Sequence, residues 1–127
     1  MLNKEIYTSA LHLLAQSTAE DENQDYEERA PFIIASFCNE VLEIDQLMRK
    51  FLGLDSGIDF HKVWLALDEL FPLLDRFAPI GAKYLAAMLV IDEDSELSDK
   101  LYEMYFDAIS TLRSEIPCVI EKITNKY

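Results

Sequence analysis

Four acidic side chains in the last third of the chain have the spacing of a calcium-binding loop. Asp92, Asp94, Glu96 and Glu103 occupy positions 1, 3, 5 and 12 of a twelve-residue segment, where EF-hand loops place their carboxylate ligands. The sixth position needs glycine for a sharp turn, but it is Leu97 here. We therefore interpret the segment as an acidic loop followed by an acid-rich helix start.

Two carboxylate pairs have a spacing that could hold Mg²⁺. Glu40 and Glu43 form one pair, and Glu96 and Asp99 form the other; residues three apart share a helix face. Four carboxylates from two helices can hold Mg²⁺ for pyrophosphate hydrolysis, as in the all-α nucleoside-triphosphate pyrophosphohydrolases. Here 52 residues separate Glu43 from Glu96, and no cluster of Lys or Arg is available for phosphates. This Mg²⁺-dependent enzyme is the second alternative function.

Nucleophilic catalysis has little support in the residue types. The chain has two histidines, His12 and His61, and two cysteines, Cys38 and Cys118, whose spacings match no zinc pattern. No nucleophile elbow, phosphate-binding glycine loop or HExxH motif is present. A catalytic dyad of Cys38 with His61, or of Cys118 with His12, is an alternative, but we expect both cysteines to be reduced thiols in the core. We predict no enzyme activity, no catalytic residue, no metal and no cofactor.

The charge balance excludes several classes of partner. Among 127 residues, 11 are Lys or Arg and 24 are Asp or Glu, which gives a net charge of −13, and 50% are apolar. This length and apolar content predict one folded domain, residues 1–127. The charge disfavours binding to nucleic acid or to anionic membranes. Neither a secretory start nor a membrane-spanning apolar run is evident, so a cytoplasmic location is expected.

The apolar periodicity predicts an all-α fold, a four- to five-helix bundle with a long central helix. Asn3 should cap the first helix and Ser95 the fourth. Pro31 should either kink the second helix or lie in its first turn. The wide apolar stripe of the second helix, which includes Phe32, predicts that it is the most buried, and Ile91 is expected to face inward from the third. The four predicted helices are 4–16, 26–52, 74–91 (or a start just before Pro79) and 96–113.

Two segments are expected to lie outside the helices. Residues 60–73 have a helical spacing, but Val63 and Trp64 favour an extended segment, with a short strand as an option, that docks on the helices. Trp64 either anchors this segment on the core or serves as a partner contact. Residues 118–127 fit an extended C-terminal arm or a short helix equally well.

One run of sequence resembles a known family. Residues 68–90 carry Pro-Leu-Leu-Asp followed by a small-residue helix with Tyr-Leu-Ala-Ala. Asp-Glu-Asp-Ser-Glu-Leu and a Leu-x-x-x-Tyr helix follow, and Asp-Tyr-Glu-Glu-Arg-Ala-Pro-Phe-Ile-Ile opens the long helix at residue 25. Over residues 25–112 this pattern is similar to the head–tail connector, or neck adaptor, proteins of tailed phages.

The resemblance implies a non-enzymatic structural protein of a phage or prophage that assembles into a ring between portal and tail. Its partners would be other copies of itself and the portal and tail-completion proteins. It would lie in the host cytoplasm during assembly and in the virion neck afterwards. Extended segments such as 60–73 and 118–127 could pair with neighbours, and an acidic lumen would repel passing DNA.

The first alternative function is a helical assembly chaperone or regulatory interaction protein. The candidate interface residues are Trp64, Phe71, Leu73, Asp75, Arg76 and Tyr127.

Overall fold

The computed structural model describes residues 1–15, 24–55 and 60–116. Its helices are α1 (Asn3–Leu13), α2 (Gln24–Phe51), α3 (Ala78–Val90) and α4 (Ser95–Ser114), with a 3₁₀ turn at Asp75–Phe77. This architecture confirms the predicted all-α helical bundle. The predicted arm at 118–127 lies outside the described residues. No helix in the described part of the chain combines the length and apolarity needed to cross a membrane.

The most buried helix is α3, and α1, α2 and α4 all pack against it. Ten of its thirteen residues are buried, whereas α2, for which this place was predicted, exposes one face along its length. The physical reason is composition: Lys83 is the one charged residue in α3, and four positions are Gly or Ala between residues 81 and 87. Small side chains let neighbouring helices approach on several sides at once.

The centre of the core is the ring of Phe37, which is almost completely buried. The ring lies beside those of Phe71, Tyr84 and Tyr105, with centroid distances of 6.5, 5.6 and 6.1 Å. Gly81 leaves the space that this ring fills, because a Cβ there would lie 2.8 Å from Phe37 Cε2. One aromatic side chain thus joins α2, α3, α4 and the segment that contains Phe71.

Two predicted helix caps are wrong, and both differ by one residue. The backbone N–H of Leu2 donates to the Glu5 carboxylate (2.7 Å), while Asn3 is buried and its Nδ2 donates to the carbonyl of Ala66 (2.9 Å). At α4 the carboxylate of Asp94 accepts from Leu97 N (3.1 Å). At α1 the side chain of Asn3 is used in the contact with Ala66 instead of in a cap. At α4 aspartate and serine have similar N-cap preferences, and Asp94 occupies the capping position.

Pro31 and Pro79 lie at different positions within their helices. Pro31 lies inside α2, which is assigned as helix from Gln24 onwards, so the main helix does not begin at Pro31. Pro79 lies in the first turn of α3, as the second predicted start requires, and proline is tolerated there because the first helical N–H groups have no intrahelical acceptor.

Residues 60–74, here called the docked segment, contain neither a helix nor a strand beyond an isolated antiparallel bridge between Leu2 and Leu70. The helical spacing is therefore not realised here, the optional strand is reduced to that bridge, and the segment is irregular, with a turn at residues 67–68. At the first turn of α1, Asn3 N donates to Glu69 O (2.9 Å) and Lys4 N donates to Leu67 O (2.8 Å). These bonds satisfy helix N–H groups that have no intrahelical partner.

Candidate functional site

The docked segment exposes three large apolar side chains. Val63 is 76% exposed, Leu70 70% and Trp64 47%. Their backbone is nevertheless held in place, because Leu65 N donates to Pro31 O (3.2 Å) and Asn39 Nδ2 donates to the carbonyl of Lys62 (2.9 Å). The structure therefore presents Trp64 on the surface, on a backbone that α2 fixes.

The buried carboxylate of Asp45 holds the other end of the docked segment. Its Oδ1 accepts from Leu74 N and its Oδ2 accepts from Arg49 Nε, each at 2.9 Å. Arg49 Nη2 also donates to the carbonyl of Pro72 (3.4 Å). Asp45 is completely buried, so this carboxylate is retained in the core by its ion pair and by the backbone donor. The sequence did not predict this buried contact, because an acidic residue within an apolar stripe does not indicate which donors it will bind.

The six predicted interface residues fall into different environments. Phe71 and Leu73 are buried in the core, because Phe71 lies beside Phe37 and Leu73 precedes the residue held by Asp45. They therefore support the surface from below instead of forming it. Trp64, Asp75 and Arg76 are exposed, and Arg76 Nη2 donates to both carboxylate oxygens of Glu115 (2.8 and 2.7 Å). Tyr127 lies outside the described residues.

A second apolar surface is a groove of about 430 Å³ between the first half of α2 and the second half of α3. Phe32 and Ile91 are 55% and 49% exposed at its rim, although the sequence predicted both to face the core. Apolar periodicity predicts which face of a helix is apolar, but it does not show which other element packs against that face. The groove is lined by Arg29, Phe32, Ile33, Ser36, Tyr84, Met88 and Ile91; we call it the α2–α3 groove.

Arg29 supplies the charge in this groove. Its guanidinium donates to the carbonyls of Met88 (3.0 Å) and Leu89 (3.4 Å) and contacts the Asp25 carboxylate (3.3 Å). The last carbonyls of a helix have no intrahelical donor, so Arg29 acts as a side-chain cap for the end of α3. The guanidinium thereby links α2 to α3 and leaves the remaining groove wall largely apolar.

Two tyrosines form the deep end of the groove and its border with α4. The hydroxyl of Tyr84 lies 3.2 Å from that of Ser36, and Tyr105 donates to the Glu40 carboxylate at 2.9 Å. Burial raises the pKa of both tyrosines, and the Glu40 charge adds to this effect. The hydroxyls therefore stay neutral near pH 7, which suits positioning more than nucleophilic attack.

Among the described residues, those considered for chemistry are not assembled into a reactive site; Cys118 lies outside that part of the chain. Burial, and secondarily the Asp45 charge, raises the pKa of the Cys38 thiol to about 12, and the thiol is completely buried while His61 is exposed. A thiol in that state is a poor nucleophile. Across residues 1–15, 24–55 and 60–116, no three His, Cys, Asp or Glu side chains are grouped as metal ligands. These ranges include all the carboxylates of the two metal-ligand spacings considered in the sequence.

Two of the apolar surfaces in the described part of the chain differ in shape. One is the set of protruding side chains on the docked segment, and the other is the α2–α3 groove. Comparison of the chain with protein-family models, with curated proteins and with solved structures finds no match in any of the three.

Proposed function

We propose that this chain is a non-enzymatic assembly subunit, and specifically a head–tail connector subunit that forms a ring between portal and tail. The observation that carries the proposal is the docked segment, which exposes Val63, Trp64 and Leu70 on a backbone fixed by hydrogen bonds. Large apolar side chains on a fixed backbone lose little conformational entropy when they bind a partner. Tryptophan in particular is enriched among the residues that dominate binding energy.

The charge of the chain shapes how such copies would assemble. A net charge of −13 makes copies repel one another at low ionic strength. The apolar contact must offset that repulsion, so association should strengthen as salt screens the charges, with a screening length of about 8 Å at physiological ionic strength. In a ring, acids that face the lumen would repel the DNA that passes through.

The direct test is assembly. Light scattering and electron microscopy of the purified chain, alone and with a portal protein, should show rings whose formation is strengthened by added salt. Trp64→Ala should weaken ring formation by at least tenfold in concentration, about 1.4 kcal/mol per tenfold. Met104→Ala is the matched control, because Met104 is similarly exposed but lies on α4.

Three outcomes would count against the connector proposal. One is a lack of rings under all salt conditions and with every portal tried. Another is equal loss of assembly in the Met104→Ala control. The third is a stoichiometric complex with a single unassembled partner, which would favour the assembly chaperone or regulatory protein.

A further inference from the structure

Val63 and Trp64 form a protruding apolar pair beside α2, whereas the α2–α3 groove is concave. The backbone on either side of the pair is fixed, because the carbonyl of Lys62 accepts from Asn39 Nδ2 and the N–H of Leu65 donates to an α2 carbonyl. We propose that the Val63–Trp64 pair of one copy binds in the α2–α3 groove of the next copy. This inference rests on the proposed function, because it names the contact through which copies would join.

The pair and the groove lie on different faces of α2. The docked segment bonds to α2 at Pro31 and Asn39. The α2 residues that line the groove are Arg29, Phe32, Ile33 and Ser36. At about 100° per residue, the mean directions of these two sets differ by about 110° around the helix axis. A single partner copy therefore does not cover both surfaces, and contacts of this head-to-tail kind form open chains or closed rings.

The groove has the size and chemistry that an indole ring needs. Its volume of about 430 Å³ lies in the range of clefts that enclose a small molecule, about 300–1,000 Å³. Phe32 and Met88 line its walls, and aromatic rings pack well against aromatic and thioether groups. The hydroxyls of Ser36 and Tyr84 lie 3.2 Å apart at the deep end, and a hydroxyl has two acceptor lone pairs. They can therefore accept from the indole N–H of Trp64, which needs a partner when it is buried.

The local charge of the pair also suits a contact with another copy. Residues 60–67 contain Lys62 and no acidic residue, in a chain of net charge −13. Lys62 is exposed and directly precedes the pair. The pair therefore meets little repulsion where it approaches an acidic neighbour, and the general repulsion between the two bodies is the part that salt screens.

A contact of this size is weak between two copies alone. Large aromatic side chains bury about 150–250 Å² each, whereas stable interfaces bury about 1,200–2,000 Å² in total. In a closed ring every copy is held by two such contacts, and the last contact forms within one assembly at a high effective concentration. The inferred contact therefore favours a ring over a free dimer.

The test places a photo-crosslinker in the groove of the full chain. Phe32→p-benzoylphenylalanine keeps an aromatic ring at a half-exposed position, so the fold should be retained. This unlabelled chain is mixed with isotope-labelled wild type, irradiated and digested. Mass spectrometry should show the peptide that carries the probe joined to a labelled peptide at residues 62–65, which identifies the contact as one between copies.

Variants of the labelled partner identify the side chain that is captured. Trp64→Ala in the partner should lower the yield of this crosslink by about tenfold or more, as expected for a residue that dominates binding. Met104→Ala, a similarly exposed change on α4, should leave the yield unchanged. The reverse probe, Trp64→p-benzoylphenylalanine, should capture residues 29–36 or 84–91 of a second copy. Far-ultraviolet circular dichroism checks that each variant stays folded.

The outcomes separate this contact from the connector proposal. Capture by the Phe32 probe of another part of a second copy, of a segment of the same chain or of nothing would overturn the inference, even if rings form. The expected crosslink without rings in the presence of a portal protein would support the contact and count against the connector. Equal crosslink yields with the Trp64→Ala and Met104→Ala partners would also overturn the inference.

Discussion

The docked segment and the α2–α3 groove are both apolar surfaces, but they are built in different ways. The docked segment is held through backbone hydrogen bonds and the buried Asp45 carboxylate, and it raises Val63 and Leu70 into solvent. The groove is formed by side chains of two regular helices and is concave. A concave surface can bury a short segment, whereas protruding side chains need the surface of another molecule. The two surfaces therefore differ in the shape of the group that each could bind.

The largest expected effect comes from breaking the anchor of the docked segment. Asp45→Ala leaves the Arg49 guanidinium without its carboxylate and the N–H of Leu74 without its acceptor. Removing one partner of a buried ion pair costs about 3 kcal/mol or more, so urea unfolding should show a loss of that size in the free energy of unfolding.

The matched control for Asp45→Ala lies beside the groove. Asp25→Ala removes an equally spaced carboxylate–arginine pair, but the Asp25 side chain is 73% exposed, and exposed pairs contribute about 1 kcal/mol or less. Hydrogen exchange should rise in residues 60–74 for Asp45→Ala and stay unchanged there for Asp25→Ala. Equal losses of stability in the two variants would show that the docked segment is not held by this carboxylate.

The next effect tests the core that the two surfaces share. Gly81→Ala would place a Cβ 2.8 Å from the Phe37 ring, and Phe37 contacts both Phe71 of the docked segment and Tyr84 of the groove. Overpacking of this kind costs about 1–3 kcal/mol, against a gain in helix propensity of about 1 kcal/mol. We expect a net loss of stability in urea unfolding.

The double variant Gly81→Ala with Phe37→Leu separates the clash from other effects. If the clash is the cause, the smaller side chain relieves it, and the two changes are less destabilising together than their sum. Strict additivity would mean that Gly81 is not required by the Phe37 ring.

The sequence predicted the features that depend on the local residue pattern. It did not predict those that depend on contacts with residues far away in the sequence. Helical spacing predicted α3, and Pro79 indicated its start as the alternative to residue 74, while the β-favouring residues of the docked segment correctly indicated that it is not a helix. The burial of Phe71 and of Asp45 depends on residues 34 and 29 positions away in sequence. The groove was missed for the same reason: Phe32 is apolar at a helical spacing, but its exposure depends on how α2 and α3 meet.

The smallest expected effect is a response of the groove side to alkaline pH. Burial, followed by the hydrogen bond to Glu93, raises the pKa of Tyr26 to about 12 from 10.0. Its hydroxyl donates to Glu93 and joins the start of α2 to the turn after α3. Burial also raises the pKa of the Cys38 thiol and of Tyr7 in α1 to about 12. The contribution of Tyr26 to the alkaline response must therefore be isolated by substitution.

The sign follows from proton binding. A tyrosine with a raised pKa in the folded state holds its proton longer than it does in the unfolded chain, so its stabilising contribution is complete below pH 10. That contribution declines as pH rises from about 10 to about 12. Hydrogen exchange across this range should show residues 24–36 and 84–91 opening as Tyr26 loses its proton. Tyr26→Phe should reduce the early loss, because phenylalanine has no proton to release. Glu96→Gln, an exposed change on α4, should leave the wild-type response intact. An equal early loss in Tyr26→Phe and in the wild type would show that the Tyr26 contact does not set the alkaline response of residues 24–36 and 84–91.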